Sequence, residues 1–245
     1  MKIAVLSDLH ANGDALRAVL RELEARRPDR VYHLGDLVGY NAEPEFCVRW
    51  AMERAAGGVC GNHDAVACGR ASGLDFHEAA RTAALWSRER ISEPSRLYLA
   101  ALPSRLNAEG PAKLVHGSVD DPDRYVYSID QAIEEMESPS CAAVDGPVFF
   151  GHTHVAGGFV RRAGGGVVHV SPGKLRLSKG ERALLNPGSV GQPRDGNPDA
   201  SFLIYDADRR EVEWIRVPYD IEAAQAKVLA AGLPPFFADR LRDGT

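Results

Sequence analysis

The sequence predicts an α/β protein whose first half alternates strands and helices and whose second half consists mostly of strands. Over residues 1–60, short apolar runs alternate with stretches of helical periodicity. After Gly157, short apolar segments are separated by Gly, Pro and Asp turns. The chain has 245 residues, 44% of them hydrophobic, and shows no repeat, low-complexity tract or linker. We therefore expect one domain over residues 1–245.

The first half begins in the order strand, helix, strand, helix, strand. The apolar run at residues 3–6 ends in a polar cluster, which is typical of a strand buried on both faces. Leu16, Val19, Leu20 and Leu23 recur at helical spacing, which predicts a helix covering that strand. These patterns predict strands at residues 3–6, 31–34 and 58–60, and helices at residues 16–23 and 45–54.

The middle of the chain is mainly helical, and the end is mainly sheet. Pro94 separates helices predicted at residues 77–91 and 95–102, because proline ends or kinks a helix. A strand pair at residues 106–109 and 113–116, a helix at 129–137 and a buried strand at 147–150 follow. The end of the chain predicts antiparallel strands at residues 159–162, 166–170, 182–185, 201–205 and 212–217, and a helical tail at 223–231.

Composition and charge exclude several classes of protein. With 29 Lys and Arg against 34 Asp and Glu, the net charge is −5, which argues against a long nucleic acid as partner. No apolar run approaches the roughly 20 residues of a membrane span, and the start turns polar too soon for a signal peptide. We expect a cytoplasmic protein without a membrane partner. The four cysteines form no CxxC pair and are expected to be reduced and buried.

Polar residues that can bind metals follow five of the predicted strands. Ligands gather at the carboxyl ends of strands in open α/β sheets, so these residues predict one common site. The five clusters are Asp8-Leu9-His10, Gly35-Asp36, Gly61-Asn62-His63-Asp64, His116, and Gly151-His152-Thr153-His154.

The spacing within the clusters predicts a centre with two metal ions. Residues two apart, as in Asp8-Leu9-His10, project to the same side of an extended backbone, and the neighbouring glycines permit tight turns. Seven ligands are too many for one tetrahedral zinc, but two ions that share one carboxylate would have four protein ligands each. Carboxylate, amide and imidazole donors suit Mn, Fe, Zn, Co or Ni. The seven candidates are Asp8, His10, Asp36, Asn62, His116, His152 and His154.

Taken alone, each candidate also has a structural interpretation. Asp8 could cap a helix, and Asn62 or His116 could form loop hydrogen bonds. Five of the eight histidines, however, lie in the clusters beside Asp and Asn, which favours the metal site. The remaining three are assigned structural roles: His33, in the core, His77 and His169.

In this order, the clusters resemble the signature of the calcineurin-like metallophosphoesterase superfamily. Residues 186–194 are similar to a segment of its small prokaryotic YfcE-type phosphodiesterases. The resemblance implies a four-layer α/β/β/α sandwich with two mixed sheets. It also implies that Asp8, His10 and His154 hold one ion, that Asn62, His116 and His152 hold the other, and that Asp36 bridges them.

The sequence departs from the superfamily at one motif. Phosphoprotein phosphatases carry G-D-x-x-D-R-G, whereas this chain has Gly39 and Tyr40 in place of the second Asp and the Arg. The departure argues against a phosphoprotein phosphatase. It also leaves open which residue orients His63, and the adjacent Asp64 is one candidate. Arg194 is a candidate replacement for the lost phosphate-binding arginine. Alternatively, Arg194 is an ordinary arginine in a surface loop.

The resemblance implies a two-metal phosphoesterase hydrolase, with two divalent ions, Mn²⁺ first, and hydroxide as nucleophile. The preferred substrates are small organic phosphodiesters or cyclic nucleotides, with His63 as proton donor and Asn62, His63 and Arg194 at the substrate. The second hypothesis is a phosphatase for phosphomonoesters, including phosphoprotein, or for dinucleoside polyphosphates. The third hypothesis is a non-catalytic scaffold. Tyr40, Tyr125 and Tyr127 could stack on a base or simply pack. The sequence leaves a homo-oligomer open.

Overall fold

The computed structural model describes residues 1–245 and forms two mixed six-stranded sheets. The strands are β1 (Lys2–Leu6), β2 (Arg30–His33), β3 (Gly57–Gly58), β4 (Arg105–Ala108), β5 (Ala112–Val115), β6 (Val148–Phe149), β7 (Gly157–Arg161), β8 (Val167–Val170), β9 (Lys174–Arg176), β10 (Arg182–Asn186), β11 (Ala200–Asp206) and β12 (Glu211–Val217). The helices are α1 (Gly13–Arg26), α2 (Pro44–Arg54), α3 (Asn62–Cys68), α4 (Glu78–Arg88), α5 (Glu93–Ala101), α6 (Ile129–Glu137), α7 (Pro139–Ala142), α8 (Ile221–Ala230) and α9 (Pro235–Asp243).

Each sheet combines parallel and antiparallel strands. The first sheet has the order β3-β2-β1-β11-β12-β9, in which β1, β2 and β3 are parallel and β11 is antiparallel to β1. The second has the order β4-β5-β6-β10-β7-β8, in which β5, β6 and β10 are parallel. The strands that end in the polar clusters are therefore neighbours within their sheets.

Three apolar clusters hold the layers together. Ile3 and Val5 of β1 face the second sheet and pack in one cluster with Phe149 of β6. Ala4 and Leu6 alternate with them and join α1 and α2 on the outer face of the first sheet. A third cluster packs α6 on the outer face of the second sheet. The order of layers is helix, sheet, sheet, helix, which confirms the predicted fold class.

The C-terminal helices α8 and α9 cover a different part of the molecule. Phe237 and Leu241 of α9 and Val228 of α8 form a separate apolar cluster with Ala83 of α4 and with Tyr40. Since Tyr40 lies in the loop after β2, this helix pair packs directly against a loop that carries candidate site residues. None of the nine helices combines the length and apolar character needed to cross a membrane.

Most predicted elements are confirmed, and four are missing from the prediction. The opening βαβαβ order and the antiparallel second half are present, and all four cysteines are free and buried. The strand predicted at 58–60 is instead Gly57–Gly58, and the helix predicted at 77–91 is shorter, Glu78–Arg88. The prediction omitted α3, α7, α9 and the edge strand β9. The first turn of α3 coincides with the polar cluster after β3, so its residues were interpreted only as parts of the site.

Candidate active site

The five polar clusters meet at the carboxyl ends of β1, β2, β3, β5 and β6. Backbone hydrogen bonds join the loops directly: the His10 N–H donates to the Asp36 carbonyl at 2.8 Å, and the Gly151 N–H donates to the His116 carbonyl at 2.7 Å. The His152 N–H also donates to the Asp8 carboxylate at 3.1 Å. Loops from both sheets therefore form one site.

The backbone at the site differs from the expectation. Residues two apart were expected on an extended chain, but Asp8, His10, Asp36, His152 and His154 all have positive φ, between 43° and 65°. The expectation of an extended backbone is wrong, and the left-handed conformation turns these side chains toward one point. Such residues cost roughly 1–3 kcal/mol each and persist where the surrounding structure holds them.

Two glycines allow the loops to approach closely. A Cβ at Gly61 would lie 2.1 Å from Asp36 Oδ1, and a Cβ at Gly151 would lie 2.0 Å from Ser7 Oγ. Any larger residue at either position would push candidate ligands apart. The glycines predicted to permit tight turns therefore also provide the space in which two strand-end loops touch.

The candidate ligands fall into two groups with Asp36 between them. In the first group, Asp8 Oδ1 lies 3.4 Å from His154 Nε2 and 3.9 Å from His10 Nε2. Asp36 Oδ2 lies 3.5 Å from His10 Nε2 and 3.5 Å from His116 Nε2, so one oxygen faces both groups. The structure therefore brings Asp8, His10 and His154 together, and it places Asp36 against both His10 and His116.

The second group contains His116, His152 and Asn62. His116 Nε2 lies 3.1 Å from His152 Nδ1 and 3.0 Å from Asn62 Oδ1. Asp36 Oδ1, the oxygen that faces away from the groups, accepts a hydrogen bond from the His63 N–H at 2.9 Å. The carboxylate of Asp36 is therefore held at Oδ1 by the backbone, and its Oδ2 faces the candidate ligands.

The hydrogen bonds of the four histidines fit metal binding. Each ring places one nitrogen against a backbone carbonyl, which makes that nitrogen the N–H donor; the other nitrogen has a lone pair whenever the ring is neutral. The free nitrogens of His10 and His154 face each other at 3.0 Å, and those of His116 and His152 face each other at 3.1 Å. Two lone pairs at that distance repel unless a proton or a cation lies with them. The ring-to-carbonyl pairs are His10 to Val38 (3.0 Å), His116 to Leu34 (2.7 Å), His152 to Asp123 (3.1 Å) and His154 to Gln192 (2.6 Å).

Burial keeps three of these rings neutral. It lowers the pKa of His152 to about 3, and it holds the pKa of His10 and of His154 well below the ordinary value. An imidazole must be deprotonated to bind a metal, so these three rings are ready ligands at neutral pH.

Asp36 and His116 stabilise each other as a charged pair. Burial would raise the pKa of Asp36, but the neighbouring His116 and His63 hold it well below its usual value. Burial likewise would lower the pKa of His116, but the charge and hydrogen bonding of Asp36 raise it to about 10. Asp36 is therefore an ionised carboxylate at the centre of the site, where it would face both cations.

His63 lies beside the candidate ligands and is held by Tyr40. The His63 ring is 3% exposed, and its Nε2 lies 3.1 Å from the Tyr40 hydroxyl. Its Nδ1 has no hydrogen-bond partner, and a Cβ at Gly39 would lie 2.3 Å from that atom. Phosphoprotein phosphatases have their second Asp at the position of Gly39. Here only backbone lies against His63 at that position, and the Tyr40 hydroxyl orients the His63 ring instead.

Asp64 does not orient His63. Its carboxylate accepts hydrogen bonds from the backbone N–H groups of Leu37 (2.8 Å), Val38 (3.3 Å) and Gly61 (3.1 Å). Asp64 lies in the first turn of α3 and ties that turn to the loop after β2. Its role in this structure is to position the loop that carries Asp36.

Tyr40 is the site residue that the sequence analysis missed. The sequence analysis considered this tyrosine only for stacking on a base or for packing. Tyr40 occupies the position of the Arg in the motif that contains Asp36, and that position was the signal that could have identified it. The Arg194 guanidinium lies 5.5 Å from the Tyr40 ring, and it hydrogen bonds Gln192 Oε1 at 2.9 Å rather than a carboxylate. Arg194 therefore lies at the edge of the site with its charge available.

Sequence and structure comparisons agree with this geometry. Residues 1–210 match the calcineurin-like phosphoesterase superfamily domain. The chain belongs to this superfamily. A metallophosphoesterase from Sphaerobacter thermophilus is 37% identical and superposes with a TM-score of 0.85 over 100% of this chain and 99% of that one. An uncharacterized protein of Methanocaldococcus jannaschii is 34% identical over 98% of this chain and 96% of its own length. A hypothetical protein from Pyrococcus horikoshii shares the fold, with 19% identity and a TM-score of 0.80 over 100% and 98% of the two chains.

Membership of the calcineurin-like phosphoesterase superfamily confirms the family, the fold and the enzyme class expected from the motifs. The chain is a metal-dependent phosphoesterase with clustered metal-binding side chains. The assignment of the seven individual ligands, and the roles of His63 and Arg194, stay predictions.

Proposed function

We propose that this phosphoesterase is a phosphodiesterase for small organic phosphodiesters or cyclic nucleotides. The observation that carries the proposal is the convergence of the other six candidate ligands around Asp36, with His63 beside them. A phosphodiester carries one negative charge and a phosphomonoester up to two. Arg194 is the arginine that the sequence and the contacts place at this site, and one guanidinium is better matched to the single charge of a diester.

The seven ligands are proposed to hold two divalent ions. Asp8, His10 and His154 would bind one ion, Asn62, His116 and His152 would bind the other, and Asp36 would contact both. Two such ions supply an activated water and stabilise negative charge on the phosphoryl oxygens. The mixture of carboxylate, amide and imidazole donors supports Mn²⁺, with Fe, Zn, Co and Ni as alternatives.

The remaining residues are assigned to substrate binding and proton transfer. His63 would donate a proton to the leaving oxygen, with Tyr40 holding the ring at its Nε2. Asn62 and Arg194 would contact the phosphoryl oxygens. Four free, buried cysteines support a cytoplasmic location, because reducing compartments keep thiols in this state.

The second candidate function is a phosphatase for monoesters, including phosphoprotein, or for dinucleoside polyphosphates. The same pair of ions could serve these substrates. Gly39 and Tyr40 occupy the positions at which phosphoprotein phosphatases have the second Asp and the Arg of G-D-x-x-D-R-G. The absence of both residues argues against a phosphoprotein substrate.

One comparison of substrates separates the candidates. Purified protein is assayed on bis(4-nitrophenyl) phosphate and on 4-nitrophenyl phosphate, after treatment with chelator and after addition of Mn²⁺. We expect Mn²⁺-dependent hydrolysis of the diester in preference to the monoester. Preference for the monoester would support the phosphatase, and hydrolysis of neither would support a non-catalytic scaffold.

A further inference from the structure

A cavity of about 370 Å³ opens directly beside the candidate metal site. It is lined by His63, Asn62 and His152 of the site and by three aromatic residues, Tyr40, Phe76 and Tyr125. We call it the aromatic cavity. Its volume lies at the lower end of the range for small-molecule sites, which is large enough for one ring system with substituents.

The aromatic side walls are held in place by stacking. The Tyr125 ring stacks on His152 with centroids 3.9 Å apart and on Tyr127 with centroids 5.4 Å apart. Tyr125 is thus stacked against two neighbouring rings, and it lines the cavity. The Phe76 ring lies 5.0 Å from the His63 ring. A planar ligand in the aromatic cavity would therefore meet two ordered aromatic groups, in the edge or offset contacts that rings prefer.

The charged residues of the aromatic cavity are acidic. Asp75 and Asp123 line it, and no lysine or arginine does. Both carboxylates are solvent-exposed, so they are available to a ligand rather than buried in the core. Arg194 does not line the cavity, but its guanidinium lies 5.5 Å from the ring of Tyr40, which does. A ligand group placed against Asp75 and Asp123 would be repelled if it were a phosphate or carboxylate and accepted if it were uncharged or cationic.

We infer that the aromatic cavity binds the leaving group of the substrate, and that this leaving group is an aromatic group without negative charge. The inference rests on the proposed phosphodiesterase function, because His63 can protonate only a leaving oxygen on its own side, and His63 lines this cavity. It narrows the substrates to diesters of aromatic alcohols or nucleosides. A dinucleoside polyphosphate would place an anionic phosphate between Asp75 and Asp123.

The first test compares two substrates that differ only in leaving-group charge. Methyl 4-nitrophenyl phosphate and its 3-carboxylated analogue are assayed with wild type, with Asp75→Asn plus Asp123→Asn, and with Asp130→Asn as a control for an exposed carboxylate outside the cavity. We expect kcat/KM to be roughly tenfold lower for the carboxylated ester in wild type. The double variant should remove most of that difference, and the control should preserve it.

A second pair of variants tests the aromatic wall. Phe76→Ala should lower kcat/KM for the uncharged aryl ester roughly 5- to 100-fold, the range found when stacking aromatics are truncated. Leu74→Ala, in the same loop but outside the cavity, should have no effect. The inhibition constant of inorganic phosphate should be equal in both variants, because phosphate alone does not reach the cavity.

A binding measurement separates failure of this inference from failure of the proposed function. Saturation-transfer NMR with 4-ethylphenol, tyramine and 4-hydroxyphenylacetate reports binding without any turnover. We expect the uncharged and cationic phenols to bind and the anionic phenol not to bind, with Phe76→Ala abolishing the signal. Selective binding without hydrolysis of any ester would support the cavity and overturn the phosphodiesterase. Hydrolysis with equal rates for both esters, or binding of all three phenols alike, would overturn the cavity assignment.

Discussion

The hydrogen bond between Tyr40 and His63 replaces, at the level of single residues, the Asp–His contact of the phosphoprotein phosphatases. Tyr40→Phe removes one hydroxyl, and we expect kcat to fall about fivefold, because a hydrogen bond of this kind is worth about 1 kcal/mol. His63→Gln should lower kcat by about 10²–10⁴-fold, since proton donation itself is lost. Steady-state kinetics on the aryl diester and metal analysis measure both effects.

The control for Tyr40→Phe is Tyr98→Phe. Tyr98 also donates or accepts one hydrogen bond with a histidine, His33, at 3.0 Å, but away from the site. Its replacement should leave kcat unchanged. A fall in metal content in Tyr40→Phe would show that the hydroxyl maintains the ligands rather than the proton donor.

Asp36 and Asp8 make a matched pair of carboxylates for testing which ligand is shared. Asp36 Oδ2 faces both ligand groups at 3.5 Å, whereas Asp8 faces only the group of His10 and His154. Asp36→Asn should decrease the content of both ions and abolish activity, and Asp8→Asn should decrease one. Metal analysis of the purified variants counts the ions. Full occupancy in Asp36→Asn would contradict the bridging assignment.

His33 makes stability depend on pH. It is fully buried between Tyr98 and the loop after β2, and burial lowers its pKa to about 3. The unfolded chain takes up the proton near pH 6.5, whereas the folded protein does so only near pH 3. The stabilisation is therefore complete above pH 6.5 and is lost as pH falls toward 3, at about 1 kcal/mol per pH unit.

The measurement is the difference in unfolding free energy between wild type and His33→Gln across that pH window. Urea unfolding at several pH values gives this difference directly, and the other buried histidines cancel because both proteins contain them. We expect the stability of wild type to fall more steeply with decreasing pH than that of the variant. Equal slopes would show that folding does not lower the pKa of His33.

Among the elements, the C-terminal helix pair connects the periphery of the fold to the site. The superfamily match ends at residue 210, and α8 and α9 follow it. The Phe237 ring of α9 lies 4.9 Å from the Tyr40 ring, which in turn holds His63. The helix pair is thus positioned to support the proton donor without contacting the candidate metal ligands itself.

Phe237→Ala should lower kcat severalfold, because Tyr40 loses the ring that packs against it. Leu241→Ala is the control: Leu241 is buried on the same helix and in the same apolar cluster. Both variants should lose about 2–5 kcal/mol of stability, but only Phe237→Ala should reduce kcat. Kinetics below the unfolding range of both variants separate the two effects. An equal fall in kcat would indicate general loosening of the helix pair.

The elements also show where sequence reasoning succeeds. Strands and helices with strong apolar periodicity, such as β1 and α1, could be predicted because the pattern reports burial directly. The edge strand β9 alternates two cations around one leucine, and α9 begins at the second of two prolines, so neither carries a long periodic pattern. The five clusters could be found because strand ends are recognisable. The left-handed backbone of Asp8 and Asp36, and the Tyr40 contact, depend on loops that meet only in three dimensions.

For the whole molecule, the important feature is that each proposed ion has ligands from both sheets. Asp8, His10, Asp36 and Asn62 follow strands of the first sheet, whereas His116, His152 and His154 follow strands of the second. The two sheets share an apolar cluster away from the site, and at the site they are joined by backbone hydrogen bonds and polar side chains. Bound cations would act as a second connection between the layers.

Removal of the metal should therefore destabilise the whole protein rather than one loop. At a metal concentration 100 times the dissociation constant, binding stabilises the folded state by about 2.7 kcal/mol. For a chain of this length, that corresponds to a fall in Tm of roughly 5–10 °C after chelation.

Because the two sheets share one core, tryptophan fluorescence and far-UV circular dichroism should report one coincident transition before and after chelation. The Asp36→Asn variant should have the lower Tm even before chelation, and its Tm should change little when chelator is added. Two separate transitions would contradict the prediction of one domain over residues 1–245, and an unchanged Tm would contradict ligands shared between the sheets.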